Sequence, residues 1–409
     1  MRIIYVTACL PFGAKEAFLI DELNQLLGTH EVLIVPRSPG KPGPNGASLA
    51  AHTKRESLLS AQVIWTAMRL FARMPVRILK SARCLLRTRS LPIVVRNLAV
   101  LPKALWLAEV TSDWKADHIH CHWAGTTATM ALIASRVSGV PWSLTAHRSD
   151  IVGNNLLNDK AESACIVRVI SEDGKKMMLD RGVKANGKLQ VLPIGVTIPP
   201  ESPLERPEVA IVLCPADLLE IKGHRYLLHA WRLLKDRGFR GELWLAGEGE
   251  LRGTLMKLSE NLDITNSVKF LSTVAHASLL ELYARRMISA VVLASIDLGG
   301  GCHEGIPVAL VEAMSYGIPV VGTNTGGIPE LIEPGTGMLV PACDSVALAD
   351  AMELILSDDR LSEQIGMRAR RHIVETRNVV SVAGTLEAWF SGRFDASVPV
   401  PRIELEARI

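Results

Sequence analysis

Aromatic side chains are scarce in this chain: Phe, Tyr and Trp together make up 5% of 409 residues. A surface that binds single-stranded nucleic acid stacks bases on such rings, so their scarcity argues against a nucleic-acid partner despite a net charge of +3. Cysteines number seven, at positions 9, 84, 121, 165, 214, 302 and 343, with no C-x-x-C pair. That spacing reads as reduced, buried thiols in a cytoplasmic protein rather than a disulfide frame. No uninterrupted apolar run reaches the ~18 residues of a membrane-spanning helix. LAVLPKALWLAEV comes nearest and is broken by Pro102 and Lys103. The opening MRIIYVTACLPFG has one charge before a short apolar run and Pro-Phe-Gly, which reads as a buried first strand rather than a secretory leader.

What is abundant is aliphatic. The chain is 48% hydrophobic with a mean hydropathy of +0.22, and its length predicts two or three domains. Residues 1–205 carry 25 Lys and Arg against 16 Asp and Glu, whereas residues 206–409 carry 20 against 26. Halves of opposite sign point to domains with different partners. Short apolar runs (IIYVTACL, EVLIVP, ADHIHCHW, PWSLTAH, CIVRVIS, LQVLPIG) alternate with helical patterns in the first half. VAIVLC, GELWLAG, VKFLS, ISAVVLAS and IPVVGT repeat the alternation in the second. This is the pattern of parallel sheets covered by helices, which bind ligands beyond the carboxyl ends of their strands. The expected division is 1–200, with a basic helical insert at about 50–110, then 207–377, then a closing helix and tail at 378–409. IPPESPLERPE, with four prolines, is the linker.

One stretch carries most of the chemical information: EGIPVALVEAMSYGIPVVGTNTGGIPE, residues 304–330. Glu304 precedes a helix start marked by Pro307, and Glu312 lies within the helix, which Gly317 ends. Amides near Gly305, Ile306 and Val308 are free to receive a diphosphate, and carboxylates grip hydroxyls. The block, followed by GTGMLV, resembles the donor half of glycosyltransferase family four, retaining enzymes of the GT-B fold, nearest to bacterial exopolysaccharide and colanic-acid-type members. The resemblance implies an α/β chain of two Rossmann-like parallel-sheet domains facing across a cleft. It implies that Glu312 holds the nucleotide ribose, that Glu304 lies by the donor sugar, and that Gly305, Ile306, Pro307 and Val308 border the diphosphate.

Weaker echoes follow. Lys222, in LLEIKGH, is placed to neutralise a leaving diphosphate, although Asp217 stands where the family usually has an arginine; Arg225 or Arg148 would have to substitute. Gly247 and Glu248, in AGEGELR, and Val274, after FLS, resemble the nucleotide border. PFGAKEAF resembles the family's first loop, with Gly13 approaching the donor phosphates and Glu16 in the first helical turn. In TAHRSDI, His147 resembles the acceptor-domain histidine beside the reacting sugar. Arg148 and Asp150 follow it as acceptor-side candidates, Asp150 alternatively as a helix cap. HIHCHW places His118, His120 and His122 on one strand face, with His122 nearest the cleft and no carboxylate or thiolate spaced to complete a metal site.

The basic insert from His52 to Lys103 sets Lys54, Arg55, Arg69, Arg73, Arg77, Lys80, Arg83, Arg87, Arg89, Arg96 and Lys103 against a single Glu56, interleaved with Trp65, Leu70, Phe71, Ile78, Leu85 and Leu86. This pattern suits an interfacial surface on anionic lipid. The resulting expectation is a retaining glycosyltransferase using a UDP- or GDP-sugar and no metal. Its acceptor is a saccharide or polyprenyl-diphosphate-linked saccharide, at the inner face of the cytoplasmic membrane. A sugar-nucleotide epimerase on the same fold, or a sugar-nucleotide-binding scaffold of weak turnover, is the alternative.

Overall fold

The computed structural model describes residues 1–12, 16–40, 47–88, 90–185, 187–201 and 207–393. They form two compact units, one of residues 1–195 with the helix from Val379, the other of residues 196–378.

The first unit is built on strands β1 (Arg2–Thr7), β2 (Glu31–Pro36), β3 (His118–His122), β4 (Trp142–Ala146), β5 (Ile166–Val169) and β6 (Leu189–Val191). They lie all parallel in the order β2-β1-β3-β4-β5-β6. Strands buried on both faces have no polar side to show, so they read as short continuous apolar runs. One face, bearing Ile4, Val6, Ile119, Cys121 and Leu144, packs under the helices Leu101–Asp113 and Thr126–Ser138. The other, bearing Ile3, Tyr5 and Ile166, packs under helices Ile20–Thr29 and Val379–Phe390.

The second face is unusual in being polar at its centre. Register places Tyr5 beside His120, His120 beside Ser143, His122 beside Thr145, and Thr145 beside Arg168. The Arg168 side chain is wholly buried and donates to Glu22 Oε2 at 2.7 Å, Leu192 O at 2.8 Å and Pro193 O at 2.6 Å. The Ser143 hydroxyl lies 2.7 Å from His118 Nε2 and 2.8 Å from His120 Nδ1, and Thr145 Oγ1 lies 3.1 Å from His120 Nε2. Phe390 stacks on His118 at 4.8 Å. The H-x-H-x-H pattern is therefore a hydrogen-bonded layer inside the core.

The second unit repeats the plan with β7 (Ala210–Cys214), β8 (Gly241–Ala246), β9 (Val268–Leu271), β10 (Ala290–Leu293), β11 (Val320–Thr323) and β12 (Met338–Val340). The order is β12-β11-β10-β7-β8-β9, again all parallel. β12 falls within GTGMLV, where no strand was expected; three residues at a sheet edge leave too short a run to read.

Three other expectations change. Cys165, Cys302 and Cys343 are exposed rather than buried. The helical stretch Leu91–Asp113 runs 23 residues and contains 18 consecutive residues with a mean hydropathy of 1.4 despite Pro102 and Lys103. Pro102 sits in the first turn of Leu101–Asp113, where no N–H is missed. Lys103 is fully buried, its ammonium donating to Pro36 O, Arg37 O and Glu56 O at 2.6–2.9 Å. The second half of this stretch is a core helix, and Lys103 is no membrane cation.

Removing one partner of a buried ion pair strands the other without solvent. Arg168→Met is expected to cost ~3–5 kcal/mol in urea unfolding, and Arg168→Met with Glu22→Leu distinctly less than the single change. A double variant no more stable than Arg168→Met would show that the charge of Glu22 is not the source of the loss.

Candidate functional site

In the second unit the candidate residues gather where β7, β8 and β10 end. Lys222 closes a short turn, Glu220–Lys222, ahead of helix His224–Asp236. Gly223 makes this turn possible. Its φ is +62°, and a Cβ there would lie 1.9 Å from Ala294 O, so only glycine lets the turn press against the end of β10. Ile296 N donates to Ile221 O at 2.9 Å across the same junction. The result is an ion pair between Lys222 Nζ and Glu304 Oε2, which also accepts from Ser295 Oγ at 3.2 Å. Both charged side chains are partly exposed, so they remain accessible to a ligand.

The Gly-Gly of TNTGG serves this loop. A Cβ on Gly326, with φ +55°, would lie 1.9 Å from Glu304 O, and one on Gly327 would lie 2.9 Å from the Gly305 carbonyl carbon. Gly327 N donates to Glu304 O at 3.2 Å. Thus the backbone of Glu304 and Gly305 is seated on the turn after β11. Helix Val308–Ser315 begins directly after, with Pro307 as its N-cap. Its first amides have no intrahelical acceptors and carry the positive end of the helix dipole. Ile306 packs against the core. Glu312 lies one turn in, its carboxylate 2.7 Å from His276 Nε2. His276, first residue of helix His276–Ala284, and Ser295 had no signature in the sequence.

Other second-unit expectations shift. A Cβ at Gly247 would lie 2.2 Å from Ala216 O, so that glycine admits a neighbouring loop rather than a ligand. Glu248 is partnered by Arg252 at 3.1 Å, and Val274 is a half-buried packing residue. Asp217 and Arg225 are both exposed.

In the first unit, Gly13 lies outside the described residues. Glu16 is buried, its carboxylate accepting from Ala8 N, Cys9 N and Leu10 N at 2.7–3.0 Å and from the Trp123 indole. That carboxylate fastens the loop after β1 and has no capacity left for an acceptor. Asp150 likewise caps: it accepts from His147 N at 3.2 Å and from the Ala124 and Gly125 amides, while Arg148 opens the same helix, Arg148–Gly153.

His122 also departs from expectation. It is fully buried, with Nδ1 3.1 Å from the Tyr5 hydroxyl and Nε2 2.7 Å from His147 Nε2. Both ring nitrogens are engaged inside the protein, so it cannot meet a substrate. His147, at the end of β4, is only half-buried and is stacked on Trp123 at 4.3 Å. Trp123, at φ +86°, follows HIHCH directly, yet nothing in its spacing marked it. Burial, with the Arg168 charge second, pushes His147 down to about 3. Burial lowers His118 to about 3 and holds His120 and His122 well below their ordinary range.

Residues 199–372, most of the second unit, match the family model Glycosyl transferases group 1. Among curated relatives, the amylovoran biosynthesis glycosyltransferase AmsK of Erwinia amylovora is 36% identical over 40% of this chain and 40% of its own length. The putative colanic acid biosynthesis glycosyltransferase WcaL of Salmonella typhimurium is 35% identical over 44% of this chain and 43% of its own. The chain thus spans less than half the length of these two relatives. Among solved structures, Anabaena Alr3699/HepE in complex with UDP and glucose superposes with a TM-score of 0.69 at 19% identity, covering 96% of this chain and all of that one. The fold is that of the GT-B glycosyltransferases.

Acid should loosen the first unit. Histidines held neutral in the folded state bind fewer protons than the unfolded chain between the unfolded value near 6.5 and the folded values near 3. Stability is therefore complete above pH ~6.5 and lost as pH falls through that window, at up to ~1.4 kcal/mol per pH unit for each such ring. The urea midpoint should drop between pH 7 and pH 5. Equal midpoints would contradict neutral, buried rings.

Proposed function

We propose that this chain transfers a sugar from a nucleotide-sugar donor to a saccharide or lipid-linked saccharide acceptor, with retention at the anomeric carbon, in exopolysaccharide or cell-surface glycan synthesis. The observation that carries the reading is the grouping of Lys222, Glu304 and the N-terminus of helix Val308–Ser315, with Glu312 one turn away. A departing nucleoside diphosphate needs its growing charge offset. An ammonium and uncompensated helix amides supply that without a metal ion. In the absence of donor, Glu304 and Lys222 neutralise each other. With donor in place, the ammonium turns to the diphosphate and the carboxylate to the sugar hydroxyls, while Glu312, braced by His276, takes the ribose. The HepE structures with UDP and with UDP-glucose, and relatives named for extracellular polysaccharide synthesis, support this choice of chemistry. The first unit is the acceptor-binding unit, and His147 is its sugar-side residue.

The proposed setting is the inner surface of the cytoplasmic membrane. Several of the insert's cations already serve groups within the protein. Arg69 pairs with Glu109, Arg87 with Asp159, Arg77 donates to Arg136 O, and Lys103 is internal. Arg73, Lys80, Arg83 and Arg96 are exposed. Alongside them the helices Ala61–Arg73, Pro75–Ala82 and Leu91–Ala99 expose Trp65, Phe71, Val76, Leu79, Leu91 and Val95, five of these six at 57–72%. Large apolar side chains interspersed with cations suit insertion among anionic headgroups.

Three measurements test these statements. UDP-glucose and GDP-mannose, incubated with and without a polyprenyl-diphosphate-linked saccharide, should yield nucleoside diphosphate chiefly when the acceptor is present. Free epimerised sugar without acceptor would identify an epimerase instead. Glu312→Ala should weaken UDP binding by ~1.5–3 kcal/mol in calorimetry, about 10- to 100-fold, because ribose hydroxyls lose a charged acceptor. Unchanged affinity would remove the ribose assignment. Changing Arg73, Lys80, Arg83 and Arg96 to Gln together should release the protein from phosphatidylserine vesicles at ~0.15 M salt. Equal sedimentation of both proteins with the vesicles would overturn the membrane assignment.

A further inference from the structure

The polar layer of the first unit continues without a break to His147. The Tyr5 hydroxyl donates to Glu22 Oε1 at 2.6 Å, and Glu22 Oε2 accepts from Arg168 at 2.7 Å. A carboxylate only accepts, so the single phenolic proton is committed to Glu22. The phenolic oxygen, 3.1 Å from His122 Nδ1, is thus left as an acceptor, and His122 must carry its proton on Nδ1. A neutral imidazole has one N–H, so His122 Nε2 is a lone pair, 2.7 Å from His147 Nε2. The hydrogen bond there can form only if His147 bears its proton on Nε2. Each assignment follows from the one before, and the series starts at an ion pair that burial has fixed. Among the described residues no alternative partner breaks it: Tyr5 and His122 are wholly buried, and burial together with the Glu22 charge holds the phenol in its protonated form.

We propose that His122 is a positioning residue which, set by Arg168, Glu22 and Tyr5, fixes His147 as its Nε2–H tautomer and so presents the His147 Nδ1 lone pair as the ring's acceptor. Stacking on Trp123, whose indole is tied to Glu16, fixes the ring plane, and the Asp150 carboxylate fixes the backbone at His147 N. His147 then meets a sugar as a neutral ring rather than a cation, with its Nδ1 lone pair turned to the Asp150 backbone N–H in a capping box. This consequence rests on the sugar-side reading of His147, whereas the tautomer does not.

The test is the ring-nitrogen spectrum of the full chain labelled with 15N-histidine, at pH 7 and without donor, assigned with His122→Gln and His147→Gln. The expected pattern has protonated Nδ1 and unprotonated Nε2 on His122, and the reverse on His147. Tyr5→Phe removes the oxygen that selects the His122 tautomer, and the single pattern at His147 should be lost, giving averaged or doubled signals. The opposite tautomer at either ring in the wild type overturns the proposal, as does a His147 pattern unchanged in folded Tyr5→Phe. If Tyr5→Phe does not fold, the wild-type spectrum decides alone. Failure to turn over any donor would leave this spectrum as it is, so the relay and the proposed reaction are judged separately.

Discussion

The charge of Arg168 beneath the first sheet is the constraint on which the rest of that unit depends. A guanidinium with no access to water must have its donors satisfied within the protein. It reaches two carbonyls after β6 and the Glu22 carboxylate, and by doing so pins helix Ile20–Thr29 to strands far from it in sequence. Glu22 is then committed twice over, and Tyr5, His122 and His147 inherit their orientation in turn. The cost of burying charge is offset by a layer in which the hydrogen-bonding groups of neighbouring side chains face one another. Such layers define a single arrangement where an all-aliphatic interface would tolerate several. That matters for the proposed sugar-side role of His147, which depends on a neutral ring held in one orientation.

The second unit reaches its geometry by a different route, through backbone contacts. Gly223, Gly326 and Gly327 each stand where a Cβ would collide with a carbonyl or backbone carbon of a neighbouring loop. Three loops, following β7, β10 and β11, therefore close on one another at main-chain distance. This is what sets Lys222 against Glu304 and Glu304 just ahead of a helix N-terminus. Side chains on long stems hold position poorly, whereas a loop seated on another loop moves only with it. The glycines of the 304–330 stretch are in this sense part of the same device as its carboxylates.

Legibility in the sequence followed the range of the interactions. Strands buried on both faces announce themselves locally, and most were placed within a residue or two; β12, three residues at an edge, was not. Glu304, Glu312 and Lys222 could be singled out as candidates because local turns and helix starts position them. The pairing of Glu312 with His276, 36 residues away, was not visible, nor were the links from Tyr5 to Glu22 and from Glu22 to Arg168, 146 residues away. Glu16 and His122 were found for a sound reason, their place at strand and helix ends beside the expected ligand. Their roles were misread because sequence shows where a polar group lies along the chain and conceals which partners already occupy it. Gly247 was misread in the same way: its missing Cβ was inferred correctly, while the atoms that need the space belong to Ala216.

Net charge conceals partners similarly. Eleven cations against one carboxylate within the insert suggested a uniformly basic surface, yet Lys103 serves three backbone carbonyls in the core, and Arg69 and Arg87 find carboxylates beyond the insert at Glu109 and Asp159. What distinguishes four of the remaining cations is their company. Arg73, Lys80, Arg83 and Arg96 share their helices or adjoining turns with Trp65, Phe71, Leu79 and Val95, large apolar groups left in contact with water. Exposing a single such group is ordinary; exposing this many along successive helices sacrifices burial that a closed fold would have kept. Charge alone would fit any polyanion, and apolar exposure alone any greasy partner. Their conjunction on the same helices is the basis of the proposed membrane setting, since a lipid leaflet is anionic at its face and hydrocarbon just beneath.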